Sequence, residues 1–200
     1  PKPGVGPNDV ALDICGAVYA NGYVKNKVME FVGPGIAKLP VEYRNSVDVM
    51  TTETTCWSSV WETDEKVEEY FAVHGRPEAY SKLNPADVAY YDGCVYVDLS
   101  TVECTIAMPM HPSYTYTINE LQANAEDILH EIEDQANAQI AKTARMDLTS
   151  KLRDGHIYVD QGVIAGCSGG TFDNIVAAAD ILKGRSTGNG VFTMRVYPGS

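Results

Sequence analysis

Apolar side chains recur along this chain at two spacings, and each spacing predicts a kind of element. Val10, Ile14, Ala17 and Val18 fall at helical intervals, so residues 9–20 are predicted as a helix capped by Asn8 and stopped by Gly22. The run Val28-Met29-Glu30-Phe31-Val32 is a predicted strand, closed by Gly33-Pro34-Gly35. Pro40 is placed to open a second helix that runs through Tyr43 and Val47 towards Met50. After a stretch of small hydroxylated residues, Thr63 is the expected cap of an acidic amphipathic helix. Val67, Tyr70, Phe71 and Val73 form its inward face, and Gly75 follows His74.

From Arg76-Pro77 a polar connection leads into a hairpin-like region. There Val95, Val97 and Leu99 alternate with other side chains, and Ile106-Ala107-Met108 precedes Pro109. His111-Pro112 marks a boundary. Residues 118–145 are helix-rich and charged, with Leu121, Ile128, Leu129 and Ile132 on one face. Strands are predicted at 156–159, 163–165 and 191–196, with a helix at 172–183 between the last two. Alternating strands and helices imply α/β layering. The chain contains no internal repeat and no low-complexity tract.

Composition narrows the function classes. Two hundred residues suit one large domain or two small ones, and a hydrophobic fraction of 44% is ordinary for a globular protein. The formal net charge of −12 argues against nucleic acid, because phosphate neutralisation needs clustered Lys and Arg. No stretch approaches the ~20 apolar residues of a membrane helix. Cysteines stand at 15, 56, 94, 104 and 167, an odd number without a C-x-x-C, so a reducing, cytoplasmic setting is expected rather than a disulfide framework. The chain begins in mid-loop without methionine and stops directly after an apparent strand, as a piece of a longer polypeptide would.

The densest chemistry lies in residues 159–175. The apolar Val163-Ile164-Ala165 runs into Gly166-Cys167-Ser168-Gly169-Gly170, after which a helical pattern begins with Ile175, Val176, Ala179 and Ile181-Leu182 on one side. Unpaired N–H groups at a helix start favour a thiolate, an oxyanion or a phosphate. The turn matches G-x-S-x-G, the nucleophile elbow, in a strand–turn–helix setting. Hydrolases of that fold place their acid and then their His after the Ser, whereas all four histidines here (74, 111, 130 and 156) precede Ser168. Cys167 with His156 as a thiol nucleophile is a second option, supported only by nearness in sequence. No Lys follows the turn, so it is not a P-loop. The plain alternative is an inert Cys in a glycine turn.

Glu53 lies among six threonines and serines between two predicted helices. It is either a solvated or capping carboxylate or an acid–base group in a hydroxyl-lined cleft. The remaining cysteines lack metal-type spacing, and the histidines fall on unrelated elements. The charges between Asp64 and Glu69 read as a solvated helix face.

Taken in order, several segments resemble one family. Val28-Met29-Glu30-Phe31-Val32-Gly33-Pro34-Gly35 is followed by Met50-Thr51-Thr52-Glu53 with Thr55 and Ser58-Ser59. Next come Val97-Asp98-Leu99-Ser100 and Ala107-Met108-Pro109-Met110-His111-Pro112. Together they resemble the middle of aconitases. Cys167-Ser168-Gly169-Gly170-Thr171-Phe172-Asp173-Asn174 is similar to the family's Cys-Thr-Asn-Ser/Gly-Ser-Tyr-Glu-Asp segment, and Val196-Tyr197-Pro198-Gly199-Ser200 to the strand and Pro-Gly-Ser after it. The matches are in family order and span nearly the whole chain.

The resemblance implies a hydro-lyase that dehydrates and rehydrates a hydroxy-polycarboxylate, such as citrate or isocitrate, around a [4Fe–4S] cluster held by three cysteines. Cys167 would be the first of those metal ligands, and Glu53 the family glutamate near the cluster and the bound hydroxyl. The family's other two ligands form a downstream C-x-x-C that is not present, so the cluster is expected in the full-length protein and absent from this chain, which alone should be inactive. Val49 stands where the family has Asn, Thr51-Thr52 replace Gly-Ala, and Gly169 replaces Asn. The implied architecture is three-layer α/β/α, with residues 1–112 as the second aconitase-like domain and 113–200 as connecting helices and the first part of the third. Implied partners are a tri- or dicarboxylate substrate and the remaining domains of the same polypeptide, with no DNA and no membrane. Two rival classes stand beside this reading: a Ser or Cys hydrolase on the 166–170 turn, and a non-catalytic binding domain that keeps the fold only.

Overall fold

The first helix starts two residues before the position that an Asn8 cap predicts. In the computed structural model, which describes residues 1–140, 142–188 and 190–199, helix α1 spans Pro7–Val18. Proline needs no N–H partner at a helix start, and the free Gly6 amide donates to Asp9 Oδ2 at 2.7 Å. Asn8 therefore sits inside the helix. Ala141, within the predicted 118–145 helical stretch, and Ser200, the last residue of the Pro-Gly-Ser resemblance, lie outside the described residues. The chain divides into two compact units, residues 1–102 and 103–200.

In the first unit, strand β1 (Val28–Phe31) leads through a 3-10 turn (Ile36–Lys38) into α2 (Val41–Met50). A second 3-10 turn (Thr51–Thr54) then delivers the chain to β2 (Ser58–Trp61), which pairs parallel with β1. The end of the small hydroxylated stretch, Ser58-Ser59, is thus the start of a strand. Its alternation is hidden because Ser58 and Ser59 occupy positions where a strand usually shows apolar residues, and the pairing is secured instead by Trp61 stacked on Phe31 at 4.1 Å between ring centroids. Val10, Ala11, Ile14 and Val18 of α1 meet Val47 of α2, with Val24 and Val102, in the buried core.

Helix α3 (Glu65–Val73) is capped by Asp64, not Thr63: Asp64 Oδ1 accepts from the Val67 amide at 3.3 Å. Thr63 serves another purpose, because its hydroxyl donates to Ser81 O and accepts from the Leu83 amide, pinning the following loop. Val73, expected inward, is exposed. Val95, Val97 and Leu99 pack against the first core without any strand partner among the described residues. Their alternation reports one-sided burial rather than pairing.

The second unit opens with an antiparallel hairpin, β3 (Thr105–Ala107) with β4 (Thr115–Thr117). Thr117 and Glu120 cap α4 (Ile118–Ala123) reciprocally, and after a break at Asn124 the chain continues as α5 (Ala125–Gln139). Leu121, Ile128, Leu129 and Ile132 lie buried with Met108, the face expected from their spacing. The helix ends before 145: the Asn137 amide holds both the N–H and the C=O of Met146, and buried Glu133 accepts from the Leu148 and Thr149 amides. A short hairpin, β5 (Leu152–Arg153) with β6 (His156–Ile157), turns at Asp154-Gly155, both with positive φ.

Strand β7 (Gln161–Ala165) then enters a one-turn helix α6 (Gly166–Gly169) and α7 (Phe172–Leu182), returning as β8 (Thr193–Tyr197) parallel to β7. Val163, Phe172, Ile181 and Val196 of this β–α–β unit are exposed. The architecture is mixed helix and strand, consistent with α/β, and the sheets among the described residues are all two-stranded. No helix among those residues is long and apolar enough to cross a membrane.

Candidate functional site

Glu53 rides on the 3-10 turn that continues α2, with its side chain exposed. The hydroxyls around it do not line an open cleft. Thr51 Oγ1 donates to Asp48 O at 2.7 Å, Thr52 Oγ1 to Val49 O at 3.0 Å and Thr54 Oγ1 to Thr51 O at 2.6 Å. Each hydroxyl thereby returns to the backbone of its own turn, the local bonding that Ser and Thr favour at helix ends. Thr55 follows in the left-handed region at φ 64°, and its amide donates to Thr52 O. Thr51 and Thr54 are buried, so the turn is anchored from below while Glu53 projects from it.

Beneath the turn lies Cys15 of α1, buried, with its thiol 3.8 Å from Met50 O. Burial pushes that thiol up to about 11, helped by the Glu53 carboxylate and by Cys56. Cys56 donates to Thr51 O at 3.3 Å. These two thiols are packing groups with weak donors, as expected of cysteines without metal spacing.

Asp48 escaped the sequence reading. Its Oδ1 accepts from Ser59 Oγ and from Trp61 Nε1 at 2.9 Å, which joins the end of α2 to β2. The available signal was the indole N–H of Trp61, which when half-buried needs an acceptor. Arg44 is equally silent in the sequence: it is buried, and it donates to Leu39 O, Glu62 O and Asp64 Oδ2.

Cys167 sits where β7 gives way to α6. Ala165 is extended, Gly166 takes φ +79°, and Cys167 is exposed in the first turn of the helix. Glycine is required at 170 for a different reason. A Cβ there would meet Gly166 O and Tyr197 O, each at 2.7 Å, and the Gly199 amide closes the arrangement by donating to Gly170 O at 2.9 Å. The turn is thus clasped between the start of α6 and the end of β8 with the residues that follow it. Ser168 is half-buried, and its carbonyl accepts from Asn174 Nδ2 at 2.8 Å. The histidines are engaged locally: His74 Nδ1 with Tyr70 O, His111 Nδ1 with Ser113, and His130 with Asp134, while His156 faces Arg153 across the β5–β6 hairpin.

Glu53 belongs to the unit 1–102 and Cys167 to the unit 103–200. Among the described residues no group of three His, Cys, Asp or Glu side chains is placed to hold a metal ion. A single thiolate does not hold a [4Fe–4S] cluster, which needs several cysteine ligands. The residues of this chain therefore do not by themselves fit that group.

Comparison with known proteins finds one family along the whole chain: the aconitase family (aconitate hydratase) matches residues 1–200. Among curated proteins, the 3-isopropylmalate dehydratase large subunit of Clostridium kluyveri is 27% identical over 98% of this chain and 38% of its own length. That of Acetivibrio thermocellus is 30% identical over 92% of the chain and 36% of its length. The 2,3-dimethylmalate dehydratase large subunit of Eubacterium barkeri is 27% identical over 97% and 38%. The chain spans little more than a third of each of these relatives.

Proposed function

We propose, for a chain that belongs to the aconitase family, that it forms part of a hydro-lyase removing water from a hydroxy-polycarboxylate and adding it back. The observation that carries this reading is the family match over residues 1–200. The relatives named for 3-isopropylmalate and 2,3-dimethylmalate favour a substituted malate, a hydroxy-dicarboxylate, over a tricarboxylate such as citrate. Their designation as large subunits favours a smaller second polypeptide as partner, beside the remaining domains of the same chain.

Within that reaction Glu53 is the acid–base group at the reacting hydroxyl. Loss of water breaks a C–O bond on one carbon and a C–H bond on its neighbour, so a proton must reach the departing oxygen. A carboxylate is able to carry it in both directions. The exposed position of Glu53 on an otherwise self-satisfied turn supports this assignment. Cys167 is one of the thiolates holding a [4Fe–4S] cluster in the full-length protein. Its exposure in the first turn of α6 supports a ligand role, since donors at a helix start stabilise a thiolate. The cluster's remaining ligands lie elsewhere in the polypeptide, and the chain by itself is inactive. Residues 1–112 correspond to the second domain and 113–200 to the start of the third, both three-layer α/β/α when complete. The exposed apolar side chains of β7, α7 and β8 support that completion. Five cysteines, an odd number without a C-x-x-C, fit a reducing, cytoplasmic setting.

The test uses the full-length protein with its partner subunit, reconstituted anaerobically with iron and sulfide. Cys167→Ser should lower the bound iron and sulfide and bleach the visible absorbance. Glu53→Gln should leave the cluster in place and slow formation of the unsaturated acid from 3-isopropylmalate by about a hundredfold or more, with a measurable residual rate. Variants that keep the native chromophore and the native rate would falsify the assignment.

A further inference from the structure

The turn that carries Glu53 is closed by one residue, through its main-chain carbonyl on one side and its carboxylate on the other. Asp48, in the last turn of α2, meets the chain on both sides of Glu53. Before it, Thr51 Oγ1 donates to Asp48 O at 2.7 Å. After it, Ser59 Oγ and Trp61 Nε1 both donate to Asp48 Oδ1, the indole at 2.9 Å. The hydroxyls of Thr51 and Ser59 also lie 3.1 Å apart. Ser59 has a single proton, and the carboxylate takes it, so Thr51 is left as donor to either Ser59 or the Asp48 carbonyl. A continuous chain of polar contacts thus crosses the base of the loop from residue 51 to residue 59.

That base is fixed to the rest of its unit. Trp61 is the last residue of β2 and stacks on Phe31 of β1, with ring planes 6° apart. Asp48 therefore links the end of a helix to the parallel strand pair, and Glu53 projects from the loop between them. A charged acceptor makes this link stronger than a neutral one, because hydrogen bonds to an ionised oxygen are shorter and about twice as strong. Nothing about Asp48 suggests that it meets substrate: two of its donors occupy the same carboxylate oxygen, and it lies partly buried.

We propose that Asp48 is a positioning residue for Glu53, setting the loop geometry on which Glu53's proton transfer depends. The proposal rests on Glu53 acting at the reacting hydroxyl. A misplacement on the order of 1 Å, introduced away from the reacting atoms, is enough to cost about a hundredfold in rate. Neutralising Asp48 weakens the bonds that Ser59 and Trp61 make to its carboxylate, loosening the returning strand of the loop, while the Thr51 bond to the main-chain carbonyl and every group that contacts substrate stay in place.

The experiment is a double-mutant cycle in the full-length, reconstituted protein with its partner subunit. The assay uses whichever of 3-isopropylmalate, 2,3-dimethylmalate and citrate the unmodified protein turns over fastest. Asp48→Asn should lower kcat roughly tenfold with KM changed less than about twofold, and iron content and thermal midpoint checked in parallel. In a Glu53→Gln background the same substitution should cost less than about twofold more, because the group it positions is already gone. Ser59→Ala, which leaves the Trp61 bond in place, runs the same cycle if Asp48→Asn does not fold. A native kcat in Asp48→Asn overturns the proposal, as does the full loss recurring in the Glu53→Gln background. Native activity in Glu53→Gln overturns instead the role given to Glu53. Failure of the unmodified protein on all three acids removes the reaction and the proposal together.

Discussion

Arg44 Nη2 lies 2.6 Å from Asp64 Oδ2, and the two side chains differ sharply in exposure, 3% for Arg44 against 20% for Asp64. Arg44 spends its other donors on Leu39 O and Glu62 O, so its charge is taken out of water and neutralised by one carboxylate. Asp64 in turn caps α3. Asp64→Ala removes a cap and strands a buried guanidinium, and should destabilise the first unit by about 2–4 kcal/mol in urea unfolding. A change under about 0.5 kcal/mol would mean that water replaces the carboxylate at no cost.

The same pair sets a pH dependence. Burial raises the Asp64 carboxyl, but the hydrogen bond and charge of Arg44, with the Val67 and Lys66 amides, outweigh it and leave the group below its ordinary 3.8. Glu133 behaves likewise: the Thr149 amide and hydroxyl and the Leu148 amide hold it below 4.5. A lowered folded-state value means that the unfolded chain takes up the proton first on acidification. The stabilisation is thus complete above the ordinary carboxylate range and is lost as pH falls through the folded-state values. Glu133→Gln should therefore be less stable than the unmodified chain at pH 7, with the gap closing below about pH 4.5. A gap that stays constant down to pH 3 would contradict this account of Glu133.

Gly170 and Gly169 are neighbours with opposite tolerance. A Cβ at 169 meets nothing within 4 Å, whereas at 170 it meets two backbone oxygens at 2.7 Å that cannot rotate away. Gly170→Ala should cost roughly 1–3 kcal/mol and speed amide exchange in β7 and at Gly199. Gly169→Ala should stay within about 0.5 kcal/mol and leave that exchange unchanged. Equal effects at the two positions would refute the clasp.

The five thiols should separate by reactivity. Cys167, Cys94 and Cys104 are exposed, while Cys15 is buried with its thiol pushed up to about 11. Only the thiolate reacts, so iodoacetamide at pH 8 should label the exposed cysteines and leave Cys15 for last. Because the folded-state value lies above the ordinary 9.0, the unfolded chain loses this proton first as pH rises. The contribution of Cys15 to stability is full below 9.0 and disappears between 9.0 and about 11. Early labelling of Cys15 by mass spectrometry would show that α1 opens readily.

Local periodicity by itself determined the main elements: the faces of α1, α2 and α5, strand β1, and the strand–turn–helix around Cys167. Those signals are legible because burial of one face imposes a repeat on nearby residues. Family order along the chain singled out Glu53 and Cys167 in the same way, from neighbours in sequence. What only the tertiary structure decided depends on partners far apart. Ser58–Trp61 is a strand because β1 offers an edge and Phe31 a ring; Asp64 displaces Thr63 as cap because Arg44 arrives beside it; and Val95–Leu99 stays unpaired because no strand among the described residues lies alongside. The hydroxyls around Glu53 looked available in sequence, yet folding turned them back onto their own turn. Hydrogen bonds to backbone carbonyls and single carboxylates such as Asp48 leave no periodic trace, since any suitably placed oxygen is able to accept them.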